Sequence, residues 1–398
     1  MRISTANSYQ SSLDALVDRK ANLDQSEQQL TTGKRVNRAS DDPAAAARAE
    51  RALASERRSV SSQRAVDASN NAMALTDSAL GDVTELLQSA REALLAAGNA
   101  SFSDSERGVK ANELAGLRQQ LFAVANRSDG AGSYLFGGQG ANQPPFVDAA
   151  GGVQFHGTSG ATQAASGEEL PLTMDGQPTW MQARTGNGVF ETRAVTSTGS
   201  AWIDPGSVTN PSQITGASYS IQFTVASGAT TYSVLKGGLP TAQTNVAFTS
   251  GQAVQIDGMS AKISGAPANG DRFDLLPSTA SLSVFDALDK AVADLKTPGR
   301  TSTQIQQTNS ASLSRFDSVL GQTISARSEV GATMARIDNV TGRLSALKLS
   351  SQTARANAQD LDMTQAISDV GNQQTGYDAA LKAYSMVQRL SLFNYLSS

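Results

Sequence analysis

The sequence predicts an α+β chain: a long antiparallel, coiled-coil-like helical bundle built from both chain flanks, with an inserted β-rich head domain. Three observations predict it. Gly and Pro are segregated, with 23 of the 34 Gly and nine of the 11 Pro lying between Gly130 and Pro277, and both residue types interrupt helices. The flanks, rich in Ala, Leu, Gln and Arg, place apolar residues at alternating steps of three and four. The middle places them at steps of two.

From the start of the chain, Tyr9, Leu13, Leu16, Lys20, Leu23, Glu27 and Leu30 step by four and three. That spacing is a helix with a seam interrupted by two charges. Gly33 follows where a left-handed C-cap residue is wanted. Asp42-Pro43 then opens the next helix, Asp as N-cap and Pro in the first turn. The Asp41/Asp42 pair could be imagined as a metal ligand or a general acid, but capping explains it with fewer assumptions. Further on, Met73, Leu80, Leu87 and Leu94 are seven apart, with Thr76, Val83, Ala90 and Ala97 three residues after each. Leu114, Leu117, Leu121 and Val124 form another stripe.

The middle reads as β. Residues 137–170, rich in Gly, Ala, Ser and Gln, are expected to be irregular loop, with Gly137-Gly138-Gln139-Gly140 as a linker. Tyr219, Ile221, Phe223 and Val225 alternate with polar residues, and a Ser-Gly turn leads to Tyr232 and Val234. Val254–Ile256, Asp257-Gly258 and Met259–Ile263 form a hairpin signal, because Asp-Gly suits the two positive-φ positions of a type I′ turn. Phe273 and Leu275 suggest another strand.

Helix returns at Ser283–Leu295 and stops at Pro298-Gly299. From Phe316 the steps alternate three and four without a slip through Val319, Thr323, Ala326, Val330, Thr333, Ile337, Val340, Leu344, Leu347, Ser351, Ala354, Ala358 and Leu361. At 1.5 Å per residue this seam is roughly 70 Å long, which implies a molecule that is a rod at least in part. Met363, Ile367, Val370, Gln374, Tyr377, Leu381 and Tyr384 repeat the pattern. A second apolar set then follows, with Met386, Val387, Leu390, Leu392, Phe393, Tyr395 and Leu396 on more than one face. The reading divides the chain into an N-terminal helix and loop at 1–43 and a discontinuous helical rod domain at 44–138 and 281–362. The head takes 139–280 and a C-terminal helix 363–398.

Composition narrows the chemistry. The 398 residues carry 32 Lys+Arg against 36 Asp+Glu, one His (His156) and no Cys. Disulfides, thiol nucleophiles and multi-histidine metal sites are therefore excluded. No cofactor and no metal are expected. The head holds Glu168-Glu169, Asp175, Glu191, Asp204, Asp257, Asp271 and Asp274, but nothing fixes a catalytic spacing among them. No phosphate-binding glycine loop occurs. The chain reads as a structural protein and not an enzyme. Its acidity and interspersed basic residues give no nucleic-acid footprint. No apolar stretch approaches the ~18–20 residues of a membrane span, and the start lacks the apolar core of a cleaved signal peptide.

The ends pose a burial problem. Each Leu or Phe removed from water contributes roughly 1.5–3 kcal/mol, so one terminal helix with apolar groups on several faces needs a cover. Either the two end helices pair with each other inside a monomer, or they complete their burial only against neighbouring subunits. On the second reading Tyr9, Leu13, Leu16, Leu23, Leu30, Ile367, Val370, Tyr377, Leu381, Tyr384, Val387, Leu390, Phe393 and Leu396 form an assembly interface. Lys20, Glu27 and Gln374 would then keep free chains soluble and disfavour wrong registers.

The segment from Leu30 to Ala46, with Thr32-Gly33-Lys34-Arg35, Asn37 and Ala39-Ser40-Asp41-Asp42-Pro43-Ala44-Ala45, resembles the N-terminal signature of the bacterial flagellin family. The C-terminal flank from about Leu361 resembles the partner region. Gly132-Ser133-Tyr134-Leu135-Phe136-Gly137-Gly138 and the ending Ala383–Leu396 resemble the family's hook–filament junction members more than its filament subunits. The match covers the two flanks and nothing specific in the insert. It implies export through the flagellar type III apparatus without a cleaved signal, and an extracellular place in the flagellum. It implies end segments that become helical on assembly into a ring or helix. The implied partners are further copies of the chain, the other hook-associated junction protein, flagellin, and an export chaperone for the C-terminal segment. A filament subunit is the alternative, with a secreted coiled-coil protein or an enzyme active in the insert as remote ones.

Overall fold

The computed structural model describes residues 5–140, 142–164 and 168–396, with side chains from Tyr9 to Met386 among them. The chain divides into two compact units, residues 1–64 with 340–398, and residues 65–339. In chain order the elements are helices α1 (Thr5–Thr32), α2 (Pro43–Ala97) and α3 (Asp104–Ala125), strands β1 (Phe146–Ala149) and β2 (Gly152–Phe155), and helix α4 (Gly176–Met181). Next come β3 (Ala183–Arg184), β4 (Phe190–Thr196), β5 (Trp202–Ile203), β6 (Ser207–Val208), β7 (Tyr219–Ala226), β8 (Ala229–Lys236), β9 (Leu239–Pro240) and β10 (Val246–Ala247). β11 (Ala253–Ile256), β12 (Met259–Ser264), β13 (Arg272–Pro277) and β14 (Ala280–Leu282) follow, and α5 (Val284–Lys296), α6 (Ser302–Gln359) and α7 (Met363–Leu396) close the chain.

In the first unit α1 packs against α7. The loop after α1 is stitched to the end of α6. Arg35 and Val36 N–H groups donate to the Gln359 carbonyl, and Leu361 N–H donates to the Gly33 carbonyl. The Arg35 guanidinium adds a bond to the Ala358 carbonyl at 2.9 Å. α6 therefore stops at Gln359, and Leu361 belongs to this turn and not to the seam. The seam also slips where the heptad is continuous: Leu347 is exposed (48%) and Ala354 is exposed, while Ser351 and Ala358 are buried. A straight α-helix drifts about 20° per heptad against a strict seven-residue repeat, so a 46-residue stripe (Phe316 to Leu361) cannot all face one partner.

In the second unit the α2 stripe is covered throughout, Met73, Thr76, Leu80, Val83, Leu87, Ala90, Leu94 and Ala97 all being buried. Phe316, Val319, Thr323, Ala326, Val330 and Ile337 of α6 are buried as well. Arg91 pairs with Asp317 at 2.7 Å and Arg327 with Asp77 at 2.8 Å, which pins the register of these stretches of α2 and α6. α3 starts with a full capping box, Ser103 with Glu106. Ser283 caps α5, whose apolar face lies on α3.

The head holds a six-stranded sheet in the order β10-β8-β7-β13-β4 with β9 beside β8, and a four-stranded sheet β11-β12-β5 with β6 beside β12. Alternation puts Ile221, Phe223, Val234, Ile256, Ile263 and Phe273 into one buried core. The β7–β8 and β11–β12 turns use the positive-φ pair that matches strand twist: Ser227 and Gly228 at φ 51° and 78°, Asp257 and Gly258 at 41° and 78°. The strand at Phe273 and Leu275 is no appendage, since β13 pairs with β7 on one side and β4 on the other. The stretch 137–170 is not all loop: β1 and β2 form a hairpin with Phe146 opposite Phe155. Four-residue strands around an Ala-Gly turn carry too few alternating positions to be recognised by period.

Candidate assembly interface

The α1 seam divides on folding. Leu16 and Leu23 are buried in the helix pair, Leu30 is half-buried, and Tyr9 and Leu13 remain exposed. On α7, Val370, Tyr377 and Tyr384 are half-buried, whereas Met363, Ile367 (59%) and Leu381 stay open to solvent. Tyr9 and Tyr384 meet at the far end of the pair, rings 5.5 Å apart, the Tyr384 hydroxyl donating to that of Tyr9. Val387, Leu390, Phe393 and Leu396 fall on side chains outside the described residues. Pairing of the two end helices inside one chain thus covers part of the stripes and leaves part uncovered. Val17, exposed at 61% and one turn after Leu13, extends the open stripe. Sequence reasoning passed over it because it lies off the seam. Lys20 is exposed and satisfied locally by Asp24 at 3.0 Å, and Glu27 and Gln374 are exposed.

The loop between α1 and α2 is held by its two carboxylates. Asp41 Oδ2 accepts the N–H groups of Asn37 and Arg38 at 3.0 and 2.9 Å. Asp42 Oδ1 accepts the Ala45 N–H at 2.9 Å in the N-cap position, and Pro43 opens α2. The Ala45 N–H, followed by the Arg35 guanidinium, holds the Asp42 carboxyl below the usual carboxylate range. Gly33 takes φ 69°, with open space around it.

The Tyr134–Gly138 segment overturns the linker reading. Tyr134 is half-buried and Leu135 to Gly138 are buried. Gly137 and Gly138 bridge to Asp175 and Thr158, and Met174 N–H donates to the Leu135 carbonyl at 2.7 Å. Gly138 is needed here because it takes φ 69° and a Cβ on it would meet the Thr158 carbonyl oxygen, a requirement that composition alone reads as flexibility. Phe136 feeds an aromatic cluster: it meets Trp180 edge-on at 5.3 Å, and Trp180 stacks on Phe285 at 5.7 Å and 4°. Arg118 of α3 grips Asp148 of β1 at 2.6 Å and Asp289 of α5 at 2.8 Å. The hydrogen bond it donates to Asp148, followed by the one to Asp289, pushes the guanidinium pKa above the ordinary arginine value. Burial, with help from Asp289, pushes the Asp286 carboxyl up.

Four carboxylates of the head, Asp175, Asp257, Asp271 and Asp274, are spent on structure. Asp271, fully buried, accepts N–H bonds from Thr198, Gly199 and Ala268. Asp257 takes the Lys236 ammonium at 2.7 Å and the Tyr219 hydroxyl. Asp175 caps α4, and Asp274 pairs with Arg272. His156 is exposed. Among the described residues no group of three or more His, Cys, Asp or Glu is placed to hold a metal ion, and no helix is long and apolar enough to cross a membrane.

Two family descriptions match the flanks. Residues 3–141 match the bacterial flagellin N-terminal helical region and residues 313–396 the bacterial flagellin C-terminal helical region. The chain is 25% identical over 397 residues to flagellar hook-associated protein 3 of Salmonella typhimurium, covering 99% of each. Among solved structures it is similar to flagellar hook-associated protein-3 of Legionella pneumophila, with TM-score 0.70 and 26% identity over 77% of this chain and 96% of that one. It is also similar to FlgL of Xanthomonas campestris, with TM-score 0.69 and 29% identity over 77% and 99%.

Proposed function

We infer the role of this chain from the premise that it belongs to the bacterial flagellin family: it is a structural subunit of the extracellular flagellum, of the kind that joins hook to filament. The observation that carries the junction role over that of a filament subunit is the end-to-end match with hook-associated protein 3, insert included.

The finer reading rests on the open stripes. Residues 1–43 and 363–398 act as assembly helices, 44–138 with 281–362 as the shaft, and 139–280 as a projecting head. Repeated copies pack head-to-tail, a heterologous arrangement that yields a ring or helix. The exposed Leu13, Val17, Ile367 and Leu381 find their cover there. On this reading the neighbours are the other hook-associated junction protein on the hook side and flagellin on the filament side, and an export chaperone holds the C-terminal segment beforehand. The chain performs no catalysis. Asp175, Asp257 and Asp271 of its head hold a helix start, a turn and a loop.

A strain lacking the gene tests the role by electron microscopy and a blot of the medium. Intact hooks without filaments, with flagellin shed into the medium, are expected. Normal filaments in that strain would refute the junction role. Long filaments from the purified chain alone would favour the filament-subunit reading.

A further inference from the structure

In the first unit a groove of about 280 Å³ runs along α2. Its apolar lining is Leu53 and Val60, both half-buried, with Ser61 exposed beside them. Glu56 on its wall is already taken by Arg355 at 2.8 Å and by Gln352 at 2.9 Å. The remaining charged groups of the groove are Arg57 and Arg64, both exposed. Seven residues apart, they stand on one helix face, and neither has a hydrogen-bond or ion-pair partner among the described residues. The groove thus sets two half-buried apolar side chains beside two cations without an ion-pair partner among the described residues.

The same unit carries a surface of opposite kind. On α1, Leu13, Val17 and Ala21 follow at steps of four, with Asp14 and Asp18 beside them at the same step. All five are exposed. Asp14 and Asp18 have no cationic partner among the described residues. The open face of α7 lacks this character, since its Asp378 is followed by Lys382 one turn on. Groove and acidic stripe are both uncovered while α1 is paired with α7 in one chain, so neither covers the other within that chain.

We propose that the α1 face of Leu13, Asp14, Val17 and Asp18 docks into the Leu53–Arg57–Val60–Arg64 groove of a second copy of this chain. Leu13 and Val17 meet Leu53 and Val60, and the two carboxylates meet the two guanidiniums. The pairing is heterologous, so it propagates from copy to copy. It rests on the assembly reading above and gives that reading its contact.

The chain has no Cys, so cross-linking is clean. Full-length chains carrying Val17→Cys and Val60→Cys together are expressed as the sole source of the protein, and purified flagella are mildly oxidised. A ladder of cross-linked multimers, absent from either single variant, is the expected result. Filamented cells whose double variant stays monomeric on the gel, or cross-links only within one chain, would overturn the docking and leave the junction role standing. Charge reversal supplies the second reading. Asp14→Arg with Asp18→Arg, or Arg57→Glu with Arg64→Glu, should each reduce filamented cells at least tenfold, and the four together should restore them. Unaffected filaments with either pair alone, or no rescue by the four despite unchanged circular dichroism, would also sink it. Normal filaments with no copy of the chain present would defeat the junction role itself.

Discussion

Replacing Gly138 by Ala isolates the role of that buried glycine in the Tyr134–Gly138 segment. A Cβ built on Gly138 would lie 1.8 Å from the Thr158 carbonyl oxygen, where real contacts stay above 3.0 Å. Something must therefore move by more than an ångström, and the surroundings resist. Gly138 N–H donates to the Met174 carbonyl at 3.1 Å. The Gly138 carbonyl accepts from the Thr162 and Thr173 hydroxyls at 3.1 and 2.8 Å. Overpacking costs roughly 1–3 kcal/mol and a left-handed φ for Ala about 1–2 kcal/mol. A broken hydrogen bond adds about 0.5–1.5 kcal/mol, for a total on the order of 3–6 kcal/mol. Gly140 provides the control, because it has φ 72° and no heavy atom within 4 Å of such a Cβ, so Gly140→Ala loses only the backbone part. The assay is denaturant unfolding followed by the fluorescence of Trp180 in a Trp202→Phe background. Trp180 sits 5.3 Å from Phe136 and reports the affected cluster, and its transition is compared on its own because a chain of two units need not unfold in one step. Equal midpoints for the two variants would refute the packing argument.

Three further outcomes follow from the same physics. Leu23→Ala should weaken the α1–α7 pair by roughly 2–4 kcal/mol, since Leu23 is buried there; limited proteolysis of both ends should accelerate, and unchanged cleavage would contradict it. The head should lose stability in acid. Burial pushes the Asp271 carboxyl up, but the N–H donors of Thr198, Ala268 and Gly199 and the Thr198 hydroxyl overcome it and leave the group below its ordinary value. A depressed carboxylate stabilises above its unfolded pKa of about 3.9 and stops doing so as pH falls through the folded value, so the melting temperature of the head should drop below about pH 4, and Asp271→Asn should flatten that drop. Removing residues 390–398 should leave the heat-unfolding of residues 65–339 nearly unchanged yet abolish incorporation into flagella; collapse of the truncated chain would place those residues in a monomer core.

Much of this was legible in the residues because period and burial share one cause. The α2 stripe from Met73 to Ala97 needs one continuous cover, and the structure supplies it. Asp257-Gly258 announced its turn because few residue pairs tolerate two positive φ values in succession. What escaped was whatever depends on distant chain. Gly137-Gly138 looks like a flexible joint until Thr158 and Met174 are seen to close on it, and the β1–β2 hairpin is too short to show a period. The end seams gave helices but not the division of their faces: nothing in the spacing says that Leu16 turns inward while Leu13, one turn away, stays in water. That division comes from the crossing of two helices, which apolar spacing alone does not fix.

Amide hydrogen exchange of residues 5–32 and 363–396, compared between the isolated chain and purified flagella, tests the central claim most directly. If the open stripes are sheltered by neighbouring copies, these amides should exchange far faster than those of α3 and α5 in the free chain and become strongly protected in flagella. Protection already equal to that of α3 and α5 in the free chain, and unaltered in flagella, would contradict it.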